Sequence, residues 1–101
     1  MATNFLRQQF NFPSRSGGPQ VLDRAFVFQS PVRNAEAAIN GFSIGFTSSD
    51  HHLLRQEIHA VVTSVSGNTV TVRVRFALRD SSGHFDDKYD GYVDVLVIAE
   101  V

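Results

Sequence analysis

The stretch VTVRVRFAL (70–78) sets Val70, Val72, Val74, Phe76 and Leu78 at every second position, with Arg73 and Arg75 between them. Only an extended chain, whose side chains alternate between two faces, gathers such a series on one side; a helix would scatter it around its axis. The preceding stretch LLRQEIHAVV (53–62) repeats the device, with Leu54, Ile58, Ala60 and Val62 on one parity and Arg55, Glu57 and His59 on the other. SGN (66–68) joins the two, and Gly67 and Asn68 suit the positive φ of a tight hairpin. A hairpin apolar on one face needs a second layer to cover it, so the chain belongs to the all-β class.

The flanking segments supply that layer. Leu22, Phe26 and Phe28 alternate with Asp23, Ala25 and Val27 before a turn started by Pro31. In AAINGFSIGFTS, Ala38, Phe42, Ile44 and Phe46 share a parity, and Gly41, Ser43 and Gly45 share the other. This predicts a strand with aromatics inward and a thin outer face that another backbone or a ligand can approach. The closing segment YVDVLVIAEV (92–101) is apolar on both parities, Val93, Val95, Val97 and Ala99 on one and Leu96 and Ile98 on the other. A strand apolar on both faces is expected to be covered on both. In a domain without helices, the simplest outer cover is another copy of the chain. Five strands between 21 and 101, with a sixth at 5–12, predict an antiparallel β-sandwich. Residues 1–20 read as an N-terminal arm, in cis or on a neighbour, or as a first strand followed by the loop PSRSGGP (13–19); residues 21–101 read as the sandwich domain.

A chain of 101 residues makes one domain. Nine Phe and no Trp give it a core with bulk but no ring N–H groups. The net charge of −1 gives no overall field for nucleic acid. Without Cys there is no disulfide, thiolate nucleophile or Cys-based zinc site. MATNFLRQQFNFPS lacks the pattern of a cleaved signal peptide and no apolar run approaches the ~20 residues of a membrane span. The expectation is a soluble chain without membrane insertion, cytoplasmic or exported by a non-classical route.

Three groups of residues invite a functional reading. Arg55, Glu57, His59, Arg73, Arg75 and Arg79 crowd one side of the 53–80 hairpin. That face is either solvated, packed on a sister subunit or in contact with ligand, and Arg suits interfaces through its planar fork. Asp50, His51 and His52 form a polar loop, and adjacent His residues on a strand point to opposite faces and do not share one metal. DSSGHFDDKYDG (80–91) carries Asp80, Asp86, Asp87 and Asp90, but its glycine stands at the fourth position and no Glu closes it, unlike a helix-loop-helix calcium loop. His84, Phe85, Tyr89 and Tyr92 in and beside that loop set flat rings next to hydrogen-bonding groups, as carbohydrate or protein recognition requires. No G-x-S-x-G turn is present, and no nucleophile stands beside His59 and Glu57, so an enzyme is not expected. No cofactor is implied.

Four landmarks together resemble the H-type lectin domain family: AFVFQSPV (25–32), Arg55 in LLRQEIHAVV, TSVSGNTVTV (63–72) and VLVIAEV (95–101). The resemblance covers residues 21–101 and implies a six-stranded antiparallel sandwich that assembles as a homotrimer. It further implies glycan ligands of N-acetylgalactosamine type, bound between protomers with Arg55 taking part. The chain departs from the family pattern at three places, one of them the 80–91 loop, which is longer than the family's equivalent. Ala77 to Arg79 stand where a Trp is expected, and Ser14 to Gly17 offer no carboxylate where the family has an early acid. The expected ligand-binding set is therefore Arg55 as hydrogen-bond donor, with His84, Tyr89 or Tyr92 as the stacking surface. The competing expectation is a non-catalytic structural or protein-recognition trimer that has lost the sugar site.

Overall fold

The structure, a computed structural model, describes residues 2–47, 53–80 and 88–101. Six strands account for nearly all of them: β1 (Thr3–Arg15), β2 (Gln20–Val27), β3 (Asn34–Phe46), β4 (Leu53–Ser66), β5 (Thr69–Asp80) and β6 (Tyr89–Glu100). They form two three-stranded sheets, one in the order β1-β6-β3 and the other in the order β2-β5-β4. Every ladder is antiparallel. The all-β, six-stranded antiparallel arrangement expected from the alternation is therefore present, and no helix occurs among the described residues.

The N-terminal segment is a full strand. β1 pairs with β6 of the same chain from Thr3 opposite Glu100 to Phe12 opposite Gly91. Its inward residues Phe10 and Phe12 are buried and its outward Phe5 is exposed, as an alternating edge strand requires.

The core lies between the two central strands, β6 and β5. Val93, Val95, Val97 and Ala99 from β6 face Val70, Val72, Val74 and Phe76 from β5, all with no exposed surface. Aromatic rings join the layers. Phe10 stacks on Phe26 with centroids 6.2 Å apart, and Phe12 on Phe76 at 4.4 Å and 3°. Each fully buried Phe contributes about 1.5–3 kcal/mol from removal of its apolar surface from water. At the seam between the edge strands β1 and β2, Gln8 donates to the Ala25 carbonyl at 2.7 Å and Arg24 lies over the Phe10 ring at 5.9 Å. These long side chains close the open side of the sandwich with their stems while keeping their polar ends satisfied.

Two local devices depart from plain alternation. On β3 the pairing with β6 slips between Ile39 and Gly41, leaving Asn40 as the extra residue of a bulge. A bulge reverses the parity of everything beyond it, so Ala38 does not share the face of Phe42, Ile44 and Phe46 as the spacing predicts. Ala35 and Ala37 instead serve the core before the bulge, and Ile44 and Phe46 after it. Phe42 faces the same way but remains 49% exposed on this edge strand. The outer positions Gly41, Ser43 and Gly45 are as expected. The second device is Gly91, with φ 153°, where an added Cβ would overlap the Ser43 carbonyl and press on the Phe76 ring.

At one end of the molecule the β4–β5 hairpin is tied to the loop after β2. The Phe28 amide donates to the Asn68 carbonyl, the Val32 amide to the Gly67 carbonyl, both at 2.8 Å, and Asn68 Nδ2 to the Phe28 carbonyl at 2.9 Å. Gly67 has φ 57°, as the hairpin connection requires. The sandwich measures 50 × 19 × 18 Å, with a radius of gyration of 15.6 Å against about 13 Å for a compact chain of this length. Three-stranded sheets whose strands, apart from the eight-residue β2, run to twelve to fourteen residues are long and narrow, and each presents one whole outer face to its surroundings.

Candidate functional site

The two outer faces differ in chemistry, and the register fixes what each carries. On the β2-β5-β4 sheet, Arg75 lies between Val21 and His59, and Arg73 between Asp23 and Val61. Arg73 grips Asp23 with two parallel hydrogen bonds, Nε to Oδ1 at 2.9 Å and Nη2 to Oδ2 at 3.1 Å. The hydrogen bond from Arg73 holds the Asp23 carboxyl below its usual range and raises the Arg73 guanidinium in return. Arg55 meets Glu57 only at 3.7 Å and leaves 66% of its side chain exposed. In the backbone register Arg55 stands opposite Arg79. Arg75 makes no ion pair among the described residues. This face therefore offers guanidinium donors in excess of the carboxylates beside them.

The outer face of the β1-β6-β3 sheet is acidic and partly aromatic. Tyr92 lies between Asn11 and Ser43, flanked along β6 by Asp90 and Asp94. Asp94 accepts a hydrogen bond from Gln9 at 3.1 Å. The Tyr92 ring is half-buried and borders a shallow cleft of about 440 Å³ lined by Asn11, Phe12, Pro13, Asp90, Gly91 and Tyr92. A ring beside an amide and a carboxylate can stack on an apolar patch of a ligand and hydrogen-bond its hydroxyls. Close by, Ser14 and Thr47 share a hydrogen bond of 2.6 Å. The thin Gly41, Ser43 and Gly45 edge leaves the approach to Tyr92 open.

The expected site residues fall in different environments. Arg55 is exposed on β4, as its parity predicts. Tyr92 is on the outer face of β6. Tyr89 is a core residue rather than a stacking surface: its ring is fully buried 5.9 Å from Phe76, and its hydroxyl donates to the Gly18 carbonyl at 2.8 Å. Burial pushes its phenol above the usual tyrosine range. The parity of Tyr89, Gly91 and Val93 carries the signal for this inward position. His84 lies outside the described residues, as do Asp50, His51, His52, Asp86 and Asp87. Among the described residues no group of three or more His, Asp or Glu is placed to hold a metal ion. Ala77, where the family resemblance puts a Trp, is 3% exposed opposite Glu57.

Arg55 and Tyr92 occupy opposite outer faces but the same end of the long axis. Gly91, next to Tyr92, is paired with Phe12, whose ring stacks on Phe76, and Phe76 is paired with Ile58, three residues from Arg55. The sandwich thickness separates the two side chains, so within one chain they cannot touch a common small ligand. Asn11 and Asp94 beside Tyr92 were not among the residues singled out from sequence, and Asp90 was noted only as one of the acids of the 80–91 loop; the signal available was the outer parity of Asp90, Tyr92 and Asp94 on one strand.

No protein-family model, no curated protein and no solved structure matches this chain.

Proposed function

We propose that this chain is a non-catalytic carbohydrate-binding module whose sugar sites form in clefts between the protomers of a trimer, as the H-type lectin resemblance implies. The observation that carries the reading is the separation of Arg55 and Tyr92 onto opposite faces at the same end of the molecule. A donor on one face and an aromatic platform on the other become one site only where two copies adjoin. In this reading Arg55 of one protomer donates hydrogen bonds to sugar oxygens. Tyr92 of the next stacks on the ring, with Asn11 and Asp90 beside it to bond hydroxyls. Weak single sites of this kind gain strength by repetition around the trimer, through avidity rather than through new contacts.

The burial of Tyr89 favours a second reading. It removes one of the aromatic residues available to a ligand, and a trimer that serves only as a structural or protein-recognition module needs no sugar platform. A glycan array probed with the intact chain separates the two. The lectin reading expects binding to a subset of glycans, with N-acetylgalactosamine-terminated ones among them, weakened at least tenfold by Arg55→Ala and by Tyr92→Ala. Absence of binding to any glycan at high surface density overturns it and leaves the structural role.

A further inference from the structure

We infer that copies of this chain associate face to unlike face: the arginine-bearing outer face of β2-β5-β4 in one copy packs on the acidic outer face of β1-β6-β3 in the next. The inference shares with the proposed function only the association of copies.

Charge distribution is the first argument. On the outer face of the β1-β6-β3 sheet, Asp90, Asp94, Glu100 and Glu36 stand against the single Arg7. On the other outer face Arg55, Arg73 and Arg75 stand against Asp23 and Glu57. A chain of net charge −1 has thus divided its charge between its two broad sides. Two like faces brought together would set acid on acid or arginine on arginine, which costs free energy; unlike faces neutralise one another and set the register.

Apolar surface is the second. The acidic face carries the adjacent pair Phe5 and Ile98, 60% and 36% exposed, and the basic face carries Val21, Val27 and Val61, each more than half exposed. Each face spans three strands about 4.8 Å apart and about twelve residues of about 3.3 Å, roughly 550 Å² in projection. That is the scale of one side of a standard interface, about 800 Å² of accessible surface. The small residues Ala38, Gly41, Ser43 and Gly45 on β3 keep the acidic face low at one edge, so a neighbouring sheet can come close.

The symmetry follows. An unlike-face contact is heterologous and closes into a ring when the rotation allows it, whereas a like-face contact stops at a dimer. A ring whose axis runs along the 50 Å length keeps every protomer at one height. The Arg55 end of one copy then adjoins the Tyr92 end of the next.

Two variants test this by mixing. Val61→Glu/Arg75→Glu spoils the basic face only, and Phe5→Lys/Asp94→Lys the acidic face only; both alter outer-face positions, and the single changes Arg75→Glu and Phe5→Lys serve as milder versions. Mass is measured by light scattering without sugar, so the result is independent of whether glycans bind. Each variant alone is expected to run at the mass of one chain, while an equimolar mixture associates, because each supplies the face that the other lacks. The wild-type chain is expected to dissociate several-fold more readily as NaCl rises from about 0.05 to 0.5 M. A variant that self-associates like wild type, a mixture that remains single chains, or association indifferent to salt overturns the inference.

Discussion

Phe12 and Phe76 lie ring on ring at 4.4 Å and 3°, and this contact between β1 and β5 exists because Gly91, the residue paired with Phe12, has no side chain. A Cβ at position 91 would overlap the Ser43 carbonyl and press on the Phe76 ring in a backbone conformation that L residues rarely adopt. Gly91→Ala is therefore expected to cost about 3 kcal/mol or more in urea unfolding, combining backbone strain with loss of core packing. Gly18→Ala, where a Cβ meets nothing within 4 Å, is the control and should stay near wild type.

The Asn68 side chain bonds the Phe28 carbonyl across 40 positions of sequence. Asn68→Ala leaves that part-buried carbonyl without its side-chain donor and is expected to cost about 1–2 kcal/mol. Hydrogen exchange should rise first at the amides of Phe28 and Val32, which are bonded to the same turn.

Acid and alkali should act through different residues. Asp23 is held below its ordinary value by Arg73, so the folded state favours the ionised form. Its contribution is present above about pH 4, the unfolded value, and is lost as pH falls through the depressed folded one. Tyr89 is raised by burial, so the folded state holds its proton more tightly than the unfolded chain does. That contribution is present below about pH 10 and is lost as pH climbs toward the raised value. Melting temperature against pH should therefore decline at both extremes. Asp23→Asn should soften the acid limb alone, and Tyr89→Phe the alkaline limb alone.

Deleting Asn40 removes the bulge from β3. With the ladder to β6 kept in step, Gly41 and Phe42 then follow Ile39 in plain alternation and keep their partners Asp94 and Val93, so Phe42, Ile44 and Phe46 still face inward. A cooperative melt is expected to survive this deletion, whereas deleting Gly41 as well would set Phe42 opposite Asp94, turn Phe42, Ile44 and Phe46 outward and abolish it.

How much of this was legible in the chain depended on the kind of information. The inward series of β5 and the outward Arg55, Glu57 and His59 followed from parity alone, because a central strand and its neighbour obey period two with little disturbance. β1 was harder, since Gln8, Gln9 and Asn11 dilute the apolar signal and Gln8 spends its amide on a seam that no local pattern reveals. On β3 the parity misled, because a single extra residue leaves no mark in composition. Tyr89 looked like part of a recognition loop beside DSSGHFDDK, yet it belongs to the strand that follows and shares the inward side with Val93. The opposition of Arg55 and Tyr92 was beyond reach. It depends on which strands pair, and the sheet orders β1-β6-β3 and β2-β5-β4 are set by long-range contacts.

Sedimentation equilibrium of the unmodified chain at low ionic strength bears most directly on whether the site is built by association. A species of three times the 11.2 kDa chain is expected at micromolar concentration. A mass of one chain at every concentration would contradict it, because Arg55 and Tyr92 would then never share a ligand.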